Sequence, residues 1–538
     1  MSQVVLWAAG VTTLLVTPFF SYDPINIPRF LAVFVFGLMG FFLLLGSKQN
    51  IFRSVYLKVV VAAVAFICWA FVAMFASGIN LSDGIFGVAG RQTGFLTYFA
   101  LIALMLCAIL SMSATLQLKL ARLLVCVGLI SGLYGVLQVL GADPFDWINP
   151  YSPVFGFFGN PNFQASFMGI AAVAAVALSL KNAEKLMVRV GFLAFVMLAF
   201  FNIYKSKSQQ GYLVFLAGLT VVGYLFVRGN STLRKFGLFY VLASVAGFIA
   251  VLLDILQKSP WSSILYKESV TFRGDFWRAG WRMTLDHPVF GVGLDGYRDN
   301  YRASRDLVTA LRPGSDTMTD SAHNVFLDIS SGGGFPLLII YVFLVGLTIN
   351  SAIRVISRST GFNAEFSAAL GAWVAYLAQS FISIGNIGLS VWGWILMGAI
   401  IGYEINTREK KEVKRVDSVY STVAIGMGLI VGLSVGLLPL AADASFRSSI
   451  ASREVQKIED SVRQWPQDVT RLTYVAQLFR EQNLPDRSIV IAREAVEFNP
   501  INFEAWKELS LQPNATESER KQALETMKKL DPFNPNLK

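Results

Sequence analysis

The sequence predicts an all-α polytopic membrane protein with about 12–13 transmembrane helices, a large extracytoplasmic loop and a C-terminal helical repeat domain. Three observations carry this. Of 538 residues, 54% are hydrophobic and only 15% charged, where soluble domains carry about 25% charged residues. Mean hydropathy is +0.54. The apolar residues fall in runs of about 17 to 23, long enough to cross a ~30 Å hydrocarbon core at 1.5 Å per residue. A soluble enzyme, a secreted disulfide scaffold and a disordered chain are excluded.

Thirteen spans follow in order, roughly 4–20, 28–46, 57–76, 95–113, 118–140, 163–180, 186–204, 209–227, 236–256, 334–354, 366–385, 389–405 and 421–441. The first has no basic n-region and ends in Pro18-Phe19-Phe20, so it does not read as a cleavable signal. Cys68, Cys107 and Cys126 all lie inside apolar runs without CxxC spacing and read as small hydrophobes.

Basic residues orient the spans. With the N-terminus cytoplasmic, eighteen Lys and Arg fall inside, among them Lys48, Arg53, Lys410, Lys411, Lys414 and Arg415. Only Arg29, Arg91, Lys205 and Lys207 fall in short outside segments. The loop 257–333 and the tail 445–538 then share the extracytoplasmic side. The loop has nine basic and nine acidic residues and the tail fourteen of each. The net charge of +10 is therefore topological, and no nucleic-acid partner is expected.

The chain divides into a membrane domain, 1–444, and a soluble tail, 445–538. In the tail, Trp465-Pro466 and Asn499-Pro500 are 34 residues apart, and Asp531-Pro532 follows 32 later. This period, with helical apolar spacing between the prolines, resembles tetratricopeptide repeats. Such a tail presents a groove to a protein partner.

The span interiors hold almost no acids. Asp254, Glu404 and Asp443 sit at span ends, which argues against an ion-coupled transporter. Candidate chemistry gathers at the outer span ends. His323 lies in Ser321-Ala322-His323-Asn324, ahead of span ten. Imidazole is suited to general-base work on a sugar hydroxyl, although a lone histidine is more often structural. His287, before Pro288, reads as a turn residue. In 271–282, Arg273, Trp277 and Trp281 share one helix face, and Arg278 and Arg282 another. This pattern fits a membrane-surface helix with snorkelling arginines. It also fits a phosphate clamp. Arg91, Lys205 and Lys207 lie on the side the charge rule disfavours, as an anionic ligand there would require.

Several motifs together resemble the O-antigen ligase/Wzy polymerase family, which includes bacterial protein O-oligosaccharyltransferases. They are Gly90-Arg91-x-x-Gly94, Phe158-Gly159-Asn160-Pro161-Asn162-Phe163, Arg273-x-x-x-Trp277, His287-Pro288-x-x-Gly291-Val292-Gly293-Leu294 and Ala322-His323-Asn324. The resemblance covers roughly 20–405 and is most specific around 271–336. It implies a GT-C-like membrane glycosyltransferase of the bacterial inner membrane. Such an enzyme moves a glycan, without metal or other cofactor, from a polyprenyl-diphosphate donor to a glycan, lipid or protein acceptor hydroxyl. His323 then takes the role of base or acceptor-positioning group. Arg91 and Arg273 hold the diphosphate, with Lys205, Lys207 and Arg278 as further donor contacts. Asn324, Asn160 and Trp277 support the motifs. Many members have Ser-Arg-Gly where this chain has Ser208-Gln209-Gln210-Gly211, which leaves Lys205 or Lys207 to stand in for that arginine. No Asp-x-Asp occurs, which points weakly away from metal-dependent relatives. An exporter of lipid-linked glycans, which needs the clamp but no base, and a non-catalytic scaffold for the repeats remain alternatives.

Overall fold

The computed structural model describes the chain apart from 48–53, 148–151, 153, 182–183, 256, 259–267, 313, 410–417 and 538. Lys48, Arg53, Lys410, Lys411, Lys414 and Arg415, used above to orient the spans, lie outside the described residues. Among the described residues all regular structure is helical.

In chain order the membrane part holds α1 (Ser2–Leu14), α2 (Asn26–Leu45), α3 (Ser54–Ala76), α4 (Leu81–Phe86), α5 (Phe95–Ser111) and α6 (Ala114–Val139). It continues with α7 (Pro161–Ser179), α8 (Leu186–Lys205), α9 (Gln210–Gly229) and α10 (Gly237–Ile255). The loop contributes α11 (Glu268–Asp286), α12 (Tyr297–Ser304) and α13 (Leu307–Leu311). Then come α14 (Val325–Arg358), α15 (Ala364–Ile382), α16 (Ile387–Glu409) and α17 (Ser418–Ser452). Each expected span falls on one of these helices.

Ten of them are long and apolar enough to cross a membrane, fewer than the twelve or thirteen expected. α1 has 13 residues and α5 has 17; at 1.5 Å per residue both fall short of a ~30 Å core. The backbone turns extended at Leu15, shortly before Pro18, and again at Met112. α15 is long enough at 19 residues but too polar to count among the ten. α5 is almost wholly buried and packs against α2 and α16. Small residues let the interior helices close up: a Cβ at Gly218 would lie 2.6 Å from the Gly371 carbonyl.

α14 is two helices joined at a kink. Gly334 takes φ 71°, ψ −176°, and Pro336 follows. The bonds the kink disrupts are replaced from elsewhere. Trp69 Nε1 donates to the Gly333 carbonyl at 2.9 Å. The Val292 amide donates to Ser331 O at 2.7 Å, and the Phe335 amide to Pro288 O at 2.8 Å. The stretch 287–294 thus wraps the kink, satisfying backbone that hydrocarbon could not.

The loop has its own small core of Phe276, Ala279, Met283, Val292, Tyr297, Tyr301 and Ala322. The tail has another, built by Phe446 of α17 and by α18 (Val455–Arg463), α19 (Val469–Glu481), α20 (Pro485–Phe498), α21 (Phe503–Ser510) and α22 (Glu517–Leu530).

Tail and loop are docked on each other. Asp531 accepts from Arg305 Nη2 at 2.6 Å and Arg302 Nη1 at 3.1 Å, all three side chains being at most 2% exposed. Asn499 and Asn502 each donate to Asp299 at 2.7 Å. Asn80, before α4, donates to Phe498 O at 3.0 Å. Part of the tail surface expected to meet another protein therefore meets this chain's own loop.

Candidate functional site

His323 sits in a turn whose shape α14 dictates. Asn324 caps that helix, accepting from the Phe326 and Leu327 amides at 3.0 and 3.3 Å, a common use of asparagine at this position. Asp328, one turn in, reaches back to Ser321 Oγ at 2.7 Å and the Ala322 amide at 2.8 Å. The chain between them is forced into the left-handed region, and His323 takes φ 55°. Histidine is among the residues that tolerate it. The imidazole is half-buried, lies 3.3 Å from Ser321 O through Nδ1, and packs on Phe276 at 5.2 Å between centroids.

Phe276 lies three residues after Arg273 on α11, so both occupy neighbouring positions on one helix face. This brings the arginine to the histidine. Burial first, and then the positive charge of Arg273, lower the imidazole pKa to about 4, against opposing influences from Asp320 and the Ser321 carbonyl. The ring is therefore neutral at pH 7. Arg273 itself makes no ion pair or hydrogen bond among the described residues. Burial lowers its pKa, and among the described residues no acid acts in the other direction.

Arg91 is placed differently. It is buried, with Asp295 at 3.1 Å, Asp328 at 3.7 Å and Asp320 at 4.0 Å, and it donates to the Asp320 carbonyl at 2.6 Å. Burial alone would lower its pKa, but the three carboxylates raise it above the ordinary value. Its charge is more than balanced by protein acids. It braces the loop under His323 through the same Asp328 that shapes the turn. The carboxylates were not singled out in the sequence, although Asp295 directly follows the Gly-rich motif 291–294.

Arg278 pairs with Asp275 at 2.7 Å and Asp306 at 3.3 Å. Trp277 and Trp281 are exposed, and Trp281 meets Phe335 edge-on at 5.8 Å. Lys205 ends α8, half-buried, its ammonium over Phe201 at 5.8 Å. Lys207 is exposed at φ 56°. Asn160 caps α7, accepting from the Asn162 amide at 2.8 Å. Gln210 is buried, with neither amide atom partnered among the described residues. His287 is exposed at the end of α11. His323, Asn324 and Arg273 thus cluster, with Arg91 beneath, and Trp277 lies one turn on from Arg273 along α11. Lys205, Lys207 and Asn160 belong to the α7–α9 end of the bundle. No group of three or more His, Cys, Asp or Glu that could hold a metal occurs among the described residues.

The fold and site define a multi-pass helical membrane protein whose loop sets a neutral imidazole beside a guanidinium with no ion pair among the described residues. The family model for O-antigen ligase matches residues 192–342, from α8 through the kink of α14. The match supports glycan transfer of the O-antigen ligase or polymerase type in general. No curated protein matches the chain.

Proposed function

We propose that this protein transfers a glycan from a polyprenyl-diphosphate donor to an acceptor hydroxyl at the extracytoplasmic face of the bacterial inner membrane, without a metal. The observation that carries the reading is Arg273, a half-buried cation without an acid partner among the described residues, beside a neutral His323. A guanidinium fork matches two phosphate oxygens. Arg278 and Trp277 flank it on α11, toward the headgroup layer, and Lys205 and Lys207 add positive charge farther along the same end.

In the step, the acceptor oxygen bonds the anomeric carbon as the bond from that carbon to the diphosphate oxygen breaks. The diphosphate leaves with its electron pair against Arg273. The acceptor's proton passes to the free nitrogen of His323. Diphosphate is already a good leaving group, so alignment and charge screening supply most of the remaining catalysis.

The test is transfer from a defined polyprenyl-diphosphate glycan by the purified protein, with and without chelator. His323→Ala and His323→Gln should insert, bind donor nearly as the unsubstituted chain does, and transfer about 10²- to 10⁴-fold more slowly. His287→Ala should keep most activity, and chelator should change nothing. Full transfer by both His323 variants would remove His323 as the base, and no transfer by the unsubstituted protein would favour export of the lipid-linked glycan.

A further inference from the structure

The carboxylate most deeply engaged by the tail is Asp531, and what it holds leads to the site. Arg302 and Arg305, both fully buried, accept their fixed geometry from it. Each then donates onward to the Ser315 carbonyl at 2.8 Å, and Arg305 also to Thr317 O at 3.4 Å. The tail touches this segment directly as well. Asn536 donates to Ser315 Oγ at 2.9 Å, and Lys507 lies 3.9 Å from Asp316. The far end of the segment is held by Arg91 through the Asp320 carbonyl. His323 follows three residues later.

We propose that Asp531 is a positioning residue for glycan transfer. It locks Arg302 and Arg305 so that they fix the segment 315–323 and thereby place His323 against Arg273. The tail is on this account a structural part of the transfer site, and its first partner is the loop. A buried carboxylate shared by two guanidiniums sets direction as well as attraction, because each fork is planar and accepts few alternative geometries. Glu504 touches Arg302 at 2.7 Å and Lys507 at 3.6 Å, from the solvent rim, and bonds neither Arg305 nor the segment itself.

The inference rests on the transfer reading above, and the experiment separates the two. Full-length protein in lipid nanodiscs is assayed with a defined polyprenyl-diphosphate glycan as Asp531→Asn, Asp531→Glu and Glu504→Gln. The Asn variant should lose ten- to a hundredfold in kcat, the scale of a small misplacement of reacting groups, with KM for donor within about twofold.

The groups facing His323 are Arg273 from α11, Asp320 from its own segment and Arg91 from the turn before α5. Loosening the segment hydrates the imidazole, so the acid limb of kcat/KM should move up from about 4 toward the ordinary ~6.5. Asp531→Glu should recover part of kcat, and Glu504→Gln should keep it.

Unchanged kcat and acid limb in the Asn variant would overturn the proposal. So would equal losses in the Asn and Glu variants with the limb unmoved, since that marks general destabilisation. If the Asn variant does not fold, the Glu variant decides by the same measures: lowered kcat with a raised limb supports the proposal, and unchanged values overturn it. Absence of transfer by the unsubstituted chain would instead sink the transfer reading and this proposal with it.

Discussion

Arg91 and Arg273 are both withdrawn from water, yet what surrounds them differs, and so does the cost of removing each. Arg91→Ala leaves Asp295 and Asp328 buried without their cation. Breaking a buried pair costs about 3–5 kcal/mol, so this variant should lose folded protein, read as a lower Tm in detergent. Arg273→Ala breaks no ion pair among the described residues. It should keep its Tm and lose roughly ten- to a hundredfold in donor affinity, the worth of a charged hydrogen bond at about 1.5–3 kcal/mol. Arg273→Lys should recover only part of this, because the fork is gone. Titration of bound lipid-linked donor against thermal melting separates the two effects. A second outcome concerns pH. On the proposed mechanism catalysis needs neutral His323, so the rate should fall as pH drops through its pKa. In the free protein Arg273 helps hold that value near 4. A diphosphate on Arg273 cancels its charge and raises the imidazole pKa. The acid limb of kcat should therefore lie at higher pH than that of kcat/KM; coincident limbs would show that donor and base do not interact. His323 and Arg273 could be singled out as candidates in the sequence because local features mark them: one lies in a short motif, the other on a helix face at i, i+4, i+8. The carboxylates holding Arg91 were not, because Asp295 lies 204 residues along the chain and nothing in local spacing records such a contact.

Among the elements, α14 shows how the backbone builds the site. Its outer half, 325–333, carries Asp328 and packs on α11, while its inner half crosses toward the opposite end. The change of direction at Gly334 needs positive φ, and a Cβ there would lie 2.1 Å from the Val289 carbonyl. Gly334→Ala therefore combines backbone strain of about 1–3 kcal/mol with a clash against fixed backbone. It should lower Tm and transfer activity together. Gly346, in the same helix, is the control, because a Cβ there would meet nothing within 4 Å. Gly346→Ala should be neutral or stabilising by up to about 1 kcal/mol. Equal melting of the two variants would mean that the kink is not under constraint. By hydropathy span ten begins at 334, which is where the inner half starts, because apolar residues become continuous there. The outer half is not visible in this way. Its Asp, Ser and Gly residues carry no apolar run, and its helical state depends on the Asn324 cap and on packing against the loop.

Over the whole molecule, the helix ends sort into two sets by their contacts. At one end Arg122 meets Glu184, Lys181 meets Glu365, Arg228 meets Ile356 and Arg358 meets Glu404. At the other end the turn around Ser21 meets Arg447, the turn around Arg91 meets the loop, and the loop meets the tail. An up-and-down arrangement of spans was legible because hydropathy and basic residues are summed over long windows and do not depend on any single contact. The lengths of the helices were less legible, since α1 and α5 are shorter than the apolar runs that mark them. The side of the membrane on which each set lies is a separate matter, decided by the charge asymmetry: the end rich in Lys and Arg should be cytoplasmic. With Cys68, Cys107 and Cys126 replaced, Lys235→Cys marks that end and Lys521→Cys marks the tail; both positions are exposed. In intact spheroplasts a membrane-impermeant maleimide should label position 521 and spare 235 until the membrane is opened. Labelling of 235 without 521 would invert the orientation and put His323 on the wrong side for a donor presented outside. Labelling of neither would place both sets of segments inside, which an odd number of crossings between 235 and 521 does not permit. The five helices α10, α14, α15, α16 and α17 lie between those positions, so the pair of labels tests α15 as well: if that polar helix did not cross, the two positions would fall on the same side.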